Sequence, residues 1–235
     1  MTGTTTARTV SLFSGHATQK AMEDEILPAF TAGTGIPLEV SFDPTTELQR
    51  RIAAGERPDV VVVATPSLDG LAATGAVDPA TARPLVTTVI GVGVARGAPH
   101  PDVSTVAALT DTFRRARSIA WSQAGQSGIY LRTLLDRLGI RGEVEPRATV
   151  LPRGFTGTAV VDGRADLAVQ QLSELAYVPG VEIVGPLPDE VQHVTEFSVA
   201  LGADATAVPE VLALRDFLAG PLAEDAYRRS GLSPA

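Results

Sequence analysis

Residues Val60–Ala64 read VVVVA. This run is apolar on both faces. A strand with one wet face alternates apolar and polar residues, so an unbroken valine run predicts a central parallel strand covered by helices on both sides. Outward from it, short β-rich runs alternate with amphipathic ones. VSLF (Val10–Phe13) and LEVSF (Leu38–Phe42) precede it. TVIGVGVA (Thr88–Ala95), SIAW (Ser118–Trp121), TVL (Thr149–Leu151), LAVQQ (Leu167–Gln171), EIVG (Glu182–Gly185) and FSVAL (Phe197–Leu201) follow. Between them, Ala21, Met22, Ile26, Ala29 and Phe30 form one helical face, with a kink expected at Pro28. Leu48 and Ile52 mark a second helix. Leu131, Leu134, Leu135 and Leu138 mark a third, closed by Gly139 at the C′ position. Phe155 and Val160 mark a short fourth, and Val211–Leu218 with Leu222–Tyr227 a terminal pair. The order is α/β.

Composition narrows the function. The 235 residues carry a formal charge of −8, with 44% hydrophobic and 20% charged residues and no cysteine. That acidity leaves no basic surplus for phosphate backbones, so no nucleic-acid partner is expected. The lack of cysteine removes disulfides, thiolate metal sites and a cysteine nucleophile. Three scattered histidines, His16, His100 and His193, make no metal-ligand spacing, and no metal or cofactor is expected. No apolar run is long enough to span a membrane. The opening MTGTTTARTV lacks a basic segment followed by an apolar core. It reads as a cytoplasmic start if Met1 is natural, and as a periplasmic or extracellular protein if a signal was removed.

In open α/β sheets, ligands sit beyond the carboxyl ends of the strands, where loops lead into helix starts. Those loops are Ser14–Thr18, Asp43–Thr46, Ala64–Ser67, Ser122–Gly128, Leu151–Thr156 and Gln170–Glu174. They are rich in Ser, Thr, Gln and Gly and poor in carboxylates. Helix starts present unpaired N–H groups and partial positive charge, which suits an anion; capping alone would also select Ser, Thr and Asp. Other motifs fail on spacing. GVGVARG (Gly91–Gly97) lies within a strand-like run, where glycine points to close backbone packing instead. GQSGI (Gly125–Ile129) lacks the last glycine of a nucleophile elbow.

The order of pieces resembles the periplasmic molybdate-binding proteins. The resemblance runs through VSLFSGHATQKAMEDEILPAFTAGTGIPLEVSFDPTTELQRRIAAGERPDVVVVA, then SIAWSQAGQSGIYLRTLLDRLGI and VVDGRADLAVQQLSE, and ends in VPEVLALRDFLAGPLAEDAYRRSGLSP. It implies an α/β, two-lobed type II periplasmic-binding-protein fold with a ligand cleft between the lobes. Lobe one would comprise residues 1–84 and 197–235, and lobe two residues 85–196. At the ligand turns the chain departs from the family: Ala17, preceded by His16, stands at the first family serine, DPTTE keeps hydroxyls only at Thr45 and Thr46, and Gln171 stands at the family tyrosine. Tetrahedral oxyanion sites rest on fully paired buried groups, so molybdate and tungstate are expected to bind poorly.

The altered Ser14–Thr18 turn and the stretch Gln170–Pro188 also resemble the aconitate-isomerase-like branch of the family. That resemblance implies a cofactor-independent isomerase shifting a double bond in a small unsaturated polycarboxylate. Such a shift removes one proton and returns another nearby, and imidazole titrates near neutrality without tuning. His16 is the expected proton shuttle. Arg153 would clamp a carboxylate, Ser14, Thr45, Thr46 and Ser127 would bind its other oxygens, and Gln171 would orient one end. Each has a plainer role open to it: His16 as a capping or hydrogen-bonding residue, Arg153 in a surface ion pair, Glu174 as a cap rather than a base. The alternative is a solute-binding protein of an ABC-type transporter, holding a small carboxylate or oxyanion and meeting a membrane permease. Either way the partner is a small anionic ligand and the chain is expected to be a monomer. Net acidity does not oppose this, because distant carboxylates are screened beyond about 8–10 Å.

Overall fold

The computed structural model describes residues 8–235; the reading of the amino terminus rests largely on residues 1–7, outside that range. Ten strands form: β1 (Val10–Ser14), β2 (Leu38–Phe42), β3 (Val60–Ala64), β4 (Val77–Ala95), β5 (Ile119–Ser122), β6 (Thr149–Leu151), β7 (Leu167–Gln171), β8 (Val181–Pro186), β9 (Val194–Gly202) and β10 (Ser233–Pro234). The chain divides into two compact units, one of residues 1–86 and 196–235, the other of residues 87–195. The chain passes from one unit to the other within β4 and returns within β9. The expected divisions were at 84/85 and 196/197.

In the first unit β1 pairs parallel with β2 and β3, Leu12 lying opposite Val60. β9 runs antiparallel to β3, with Val60 opposite Leu201. All four valines of β3 are fully buried. Val60 and Val62 join Leu12, Met22, Ile26, Phe30 and Leu214 on one face. Val61 and Val63 join Phe13, Leu48, Ile52 and Leu71 on the other. The period-2 alternation of a strand thus feeds two separate helical layers, which is why β3 has no polar face.

The helical stretch from His16 to Thr34 runs through Pro28 without a break. It widens into a π-helical segment, Met22–Ile26, just before the proline. Proline has no N–H and crowds the carbonyl four residues back; a wider turn gives that carbonyl room. Gly35 ends the stretch in the left-handed region at φ 70°.

In the second unit β6, β5 and β7 are parallel and β4 is antiparallel to β7 and β8. Ile90, Val92, Ile119, Trp121, Leu167 and Val169 fill one face. The other face is built from small residues, Ala120 and Ala168, against Ala159, Val160 and Leu175. A Cβ on Gly91 would lie 2.8 Å from the Gly185 carbonyl, and one on Gly93 would lie 2.9 Å from a Val181 methyl. These glycines are in β4 because β8 and the helix Leu172–Tyr177 approach closely. β4 begins at Val77, eleven residues before the expected start. Its first half carries Pro79 and Pro84 and is largely exposed.

Tyr227 offers a check on the first unit's core. It is 1% exposed, its hydroxyl has no partner, and burial raises its pKa. An orphaned buried hydroxyl costs about 1–3 kcal/mol. Tyr227→Phe is therefore expected to raise stability by about 1 kcal/mol, read as a higher urea midpoint. A lower midpoint would contradict this packing.

Candidate functional site

In the first unit the carboxyl ends of β1, β2 and β3 lead into three polar loops. Ser14 is fully buried, and its hydroxyl pairs with that of Thr18 at 2.8 Å. Thr18 in turn donates to the Gly15 carbonyl. His16, half-buried, opens the helical stretch. Its Nδ1 lies 2.9 Å from Gln19 Oε1, and Gln19 Nε2 donates to Glu23 Oε1 at 2.9 Å. With Nδ1 as the donor, the imidazole carries its lone pair on Nε2. A base is thus oriented by an amide, which is itself held by a carboxylate. Sequence reading named only His16. The spacing i, i+3, i+7 on one helical face was the available signal for Gln19 and Glu23.

Thr45 is buried, and its Oγ1 accepts the Ala64 N–H at 3.2 Å, joining the loops after β2 and β3. Thr46 follows at half-burial. The helix Thr45–Ala53 starts after Pro44 with no side-chain cap. Nearby, Thr65 and Ser198 hydroxyls pair at 2.7 Å, and the Arg51 guanidinium lies over the Phe13 ring while bonding Asp43 at 3.1 Å.

In the second unit the corresponding loops follow β5, β6 and β7. The helix Gln126–Arg137 starts at Gly125, also without a side-chain cap. By contrast, Thr105 caps the helix Val106–Arg115 through the Ala108 N–H. Ser127, in the first turn after Gly125, is 1% exposed and its Oγ has no partner. Gln171 ends β7, is 2% exposed and donates from Nε2 to Thr195 Oγ1 at 2.9 Å; its Oε1 has no partner. Thr195 is a hydroxyl that can donate as well as accept, so turning the amide over would present Nε2 in place of Oε1. Arg153 is exposed in the turn 152–156. Gln170 holds this turn: its Oε1 accepts from Thr156 N at 2.7 Å and Thr156 Oγ1 at 2.9 Å, and its Nε2 donates to the Gly154 carbonyl. Phe155 stacks on Tyr177, centroids 4.3 Å apart.

The orphaned atoms are concentrated here. Six buried side-chain polar atoms lack a partner among the described residues, and four belong to Thr88, Ser127, Gln171 and Ser173. Thr88 lies two residues before Ile90, the antiparallel β4 partner of Gln171, so three of the four gather around the carboxyl end of β7 and the fourth follows β5. Buried polar atoms are nearly always paired, so this clustering marks where an absent partner would act.

Glu174, expected from the sequence as a surface or capping residue rather than a base, caps its helix and is also buried. It is 9% exposed and receives the Gln171 N–H at 3.3 Å in a capping box. Burial pushes its carboxyl up to about 7, against the lowering effect of hydrogen bonds from Gln171 N–H and the Gln170 side chain. A concavity of about 690 Å³ elsewhere in this unit, lined by Ala98, Pro101, Arg117 and Asp166, lies at the amino ends of β5 and β7. Its Arg117 pairs with Asp166 at 2.9 Å and its Arg115 with Asp111 at 3.2 Å, and Asp102 also lines it. Among the described residues no group of three or more metal-ligating side chains occurs, and no helix is long and apolar enough to cross a membrane.

Comparison with known proteins places this architecture. An aconitate isomerase from Pseudomonas sp. is 35% identical over 216 residues, 89% of this chain and 82% of that protein. The Azotobacter vinelandii periplasmic molybdate-binding protein superposes with a TM-score of 0.78 at 16% identity, covering 95% of this chain and 98% of that one. The sulfate-binding protein of Mycobacterium tuberculosis H37Rv gives 0.76 at 20% identity, covering 97% and 87%. Both superpositions bear on the fold, which is the two-lobed α/β fold of periplasmic binding proteins. The description "bacterial extracellular solute-binding protein" matches residues 10–233, and with a match over nearly its whole length the chain belongs to that family.

Proposed function

We propose that this protein binds a small polycarboxylate anion at the loops following its parallel strands. The observation that carries the reading is the set of buried, unpartnered side-chain atoms of Thr88, Ser127, Gln171 and Ser173. Leaving such atoms unpaired is costly, so a ligand that pairs them gains what folding left unmet. Three of these residues offer hydroxyl donors, and Gln171 offers an amide donor in its turned orientation. The uncapped start of the helix Gln126–Arg137 adds N–H groups and partial positive charge, and Arg153 supplies a guanidinium suited to bidentate carboxylate recognition. A carboxylate is favoured over a tetrahedral oxyanion because Ala17, with the His16 imidazole just before it, and the Gln171 amide stand where the resemblance puts family hydroxyls, and because the 35%-identical relative is named for aconitate. As a solute-binding protein the chain would work outside the cytoplasm and deliver its ligand to a membrane permease.

Native mass spectrometry with a panel of di- and tricarboxylates, sulfate and molybdate tests this. A one-to-one carboxylate complex is expected, with molybdate weaker by at least about tenfold, or 1.4 kcal/mol. Molybdate binding more tightly than every carboxylate would overturn the ligand assignment.

A second reading is favoured by the His16–Gln19–Glu23 chain: the protein also isomerises its ligand. His16 Nε2 takes a proton from a methylene beside a carboxylate, the double bond moves, and the same proton returns at the far carbon of the three-carbon unit. No redox change or cofactor is involved. Proton NMR of trans-aconitate with the protein would read the conversion directly. A protein that binds the panel and converts none of it would leave the binding reading alone.

A further inference from the structure

We propose that Glu174 is the proton-carrying residue of the second unit's ligand loops, so that the site takes up a proton as it fills with a small multivalent anion. This rests on the anion-binding reading above.

The geometry is specific to this corner of the fold. Glu174 follows β7 by three residues. Two of the orphaned atoms belong to Ser173, next to it in the chain, and to Gln171, three residues back, whose N–H it accepts. Its carboxylate accepts the Gln171 N–H and is hydrogen-bonded by the Gln170 side chain, the same side chain that fastens the turn carrying Arg153. A capping box needs only an acceptor at this position, and glutamine serves as well as glutamate. A carboxyl buried among amides and hydroxyls is more than capping requires.

The charges around it are few. Its helix packs on β7 and β8 and, through Leu172 and Leu175, on Gly91 and Gly93 of β4, whose residues 88–95 carry no charge. β7, LAVQQ, has no charged residue. β8 carries Glu182, whose carboxylate is engaged by His100 and the Gly97 N–H. Arg153 stands on the tied turn, and Asp166, before β7, pairs with Arg117. The influences on Glu174 are burial and the two hydrogen bonds; no neighbouring charge contributes. With its titration already near neutrality, an anion arriving at Ser173 and Gln171 adds negative charge beside it. That favours the protonated form further, and a proton is taken up. The sign follows: affinity is highest below neutral pH and declines as pH rises through the ligand-free titration of Glu174.

Isothermal titration of the full chain with sulfate and with trans-aconitate, at pH 7.5 in HEPES and in Tris, counts protons from the difference in heats. The wild type is expected to take up about half a proton or more per anion, and its Kd to weaken by about tenfold between pH 6.5 and 8.5. Glu174→Gln, which keeps the cap, should bind with no uptake and a flat profile. Equal uptake in both proteins, or none in the wild type, would overturn the assignment of Glu174. No binding of either probe by the wild type would instead remove the anion-binding reading and this inference with it. Sulfate is fully ionised throughout the range, so its uptake cannot come from the ligand.

Discussion

Replacing His16 with asparagine is expected to lower isomerase turnover by about 10²–10⁴-fold, the usual contribution of general acid–base catalysis. The substitution keeps a polar side chain at the head of the helical stretch but removes the group that, in the proposed isomerisation, would hold and return the proton. Ligand affinity should stay within about threefold, well under 1.4 kcal/mol, because the proposed clamp is made by other residues. Gln19 and Glu23 position the ring through consecutive hydrogen bonds. Gln19→Leu is expected to lower kcat by less than His16→Asn and to shift the pH profile, since the tautomer is then no longer fixed. The measurement is kcat by proton NMR beside Kd by calorimetry. Undiminished turnover in His16→Asn would remove the imidazole from the chemistry.

The largest effect on stability is expected at Gly128. This glycine sits in the first full turn of the helix Gln126–Arg137 and packs directly on the end of β5. A Cβ there would fall inside the van der Waals envelope of the Ser122 carbonyl oxygen, with the Ser122 backbone N a further 3.3 Å neighbour. The obstacle is backbone on both sides, so no side-chain rotation relieves it. Gly128→Ala should destabilise the protein by about 3 kcal/mol, the upper part of the range for overpacking. Lifting the helix also displaces Ser127, so anion affinity should fall as well. A urea midpoint within error of wild type would show that the helix does not seat on β5 this closely. Gly142, with nothing within 4 Å of its added Cβ, serves as the control for alanine itself.

These two residues also mark what could be read from the sequence. The α/β order was legible because β3 is apolar on both faces and its neighbours alternate cleanly, so period alone located β1, β2 and β3. The stripe of leucines ending at Gly139 likewise gave the helix Gln126–Arg137, and Gly139 adopts the left-handed conformation at φ 67°. The first half of β4 was hidden by Pro79 and Pro84 and by its exposure, since an exposed, proline-bearing stretch has neither apolar alternation nor strand propensity. The helix Val106–Arg115 carried readable signals, Thr105 as cap and Leu109 with Phe113 as its buried face, and was passed over among short polar residues.

At the site the division is different. The residue types of the loops were legible, and so were the strand ends that carry them. Which hydroxyl already has a partner was not. Ser14 and Thr45 are tied to Thr18 and to Ala64, whereas Ser127 and Ser173 are buried without partners; nothing in local sequence separates the two cases, because the distinction is made by tertiary packing. Glu174 is the clearest instance. Its position three residues after Gln171 reads as an ordinary cap, and it is one. Its burial follows from how the short helix Leu172–Tyr177 seats on β7 and β8, and that burial pushes a common capping residue up toward neutral titration.

Calorimetric titration of the wild-type protein with trans-aconitate, a series of other di- and tricarboxylates, sulfate, and the neutral sugar glucose tests the central claim most directly. The proposed function predicts one site that prefers a polycarboxylate, with affinity reduced in Ser127→Ala and no heat from glucose. A neutral sugar binding more tightly than any carboxylate or oxyanion would contradict it.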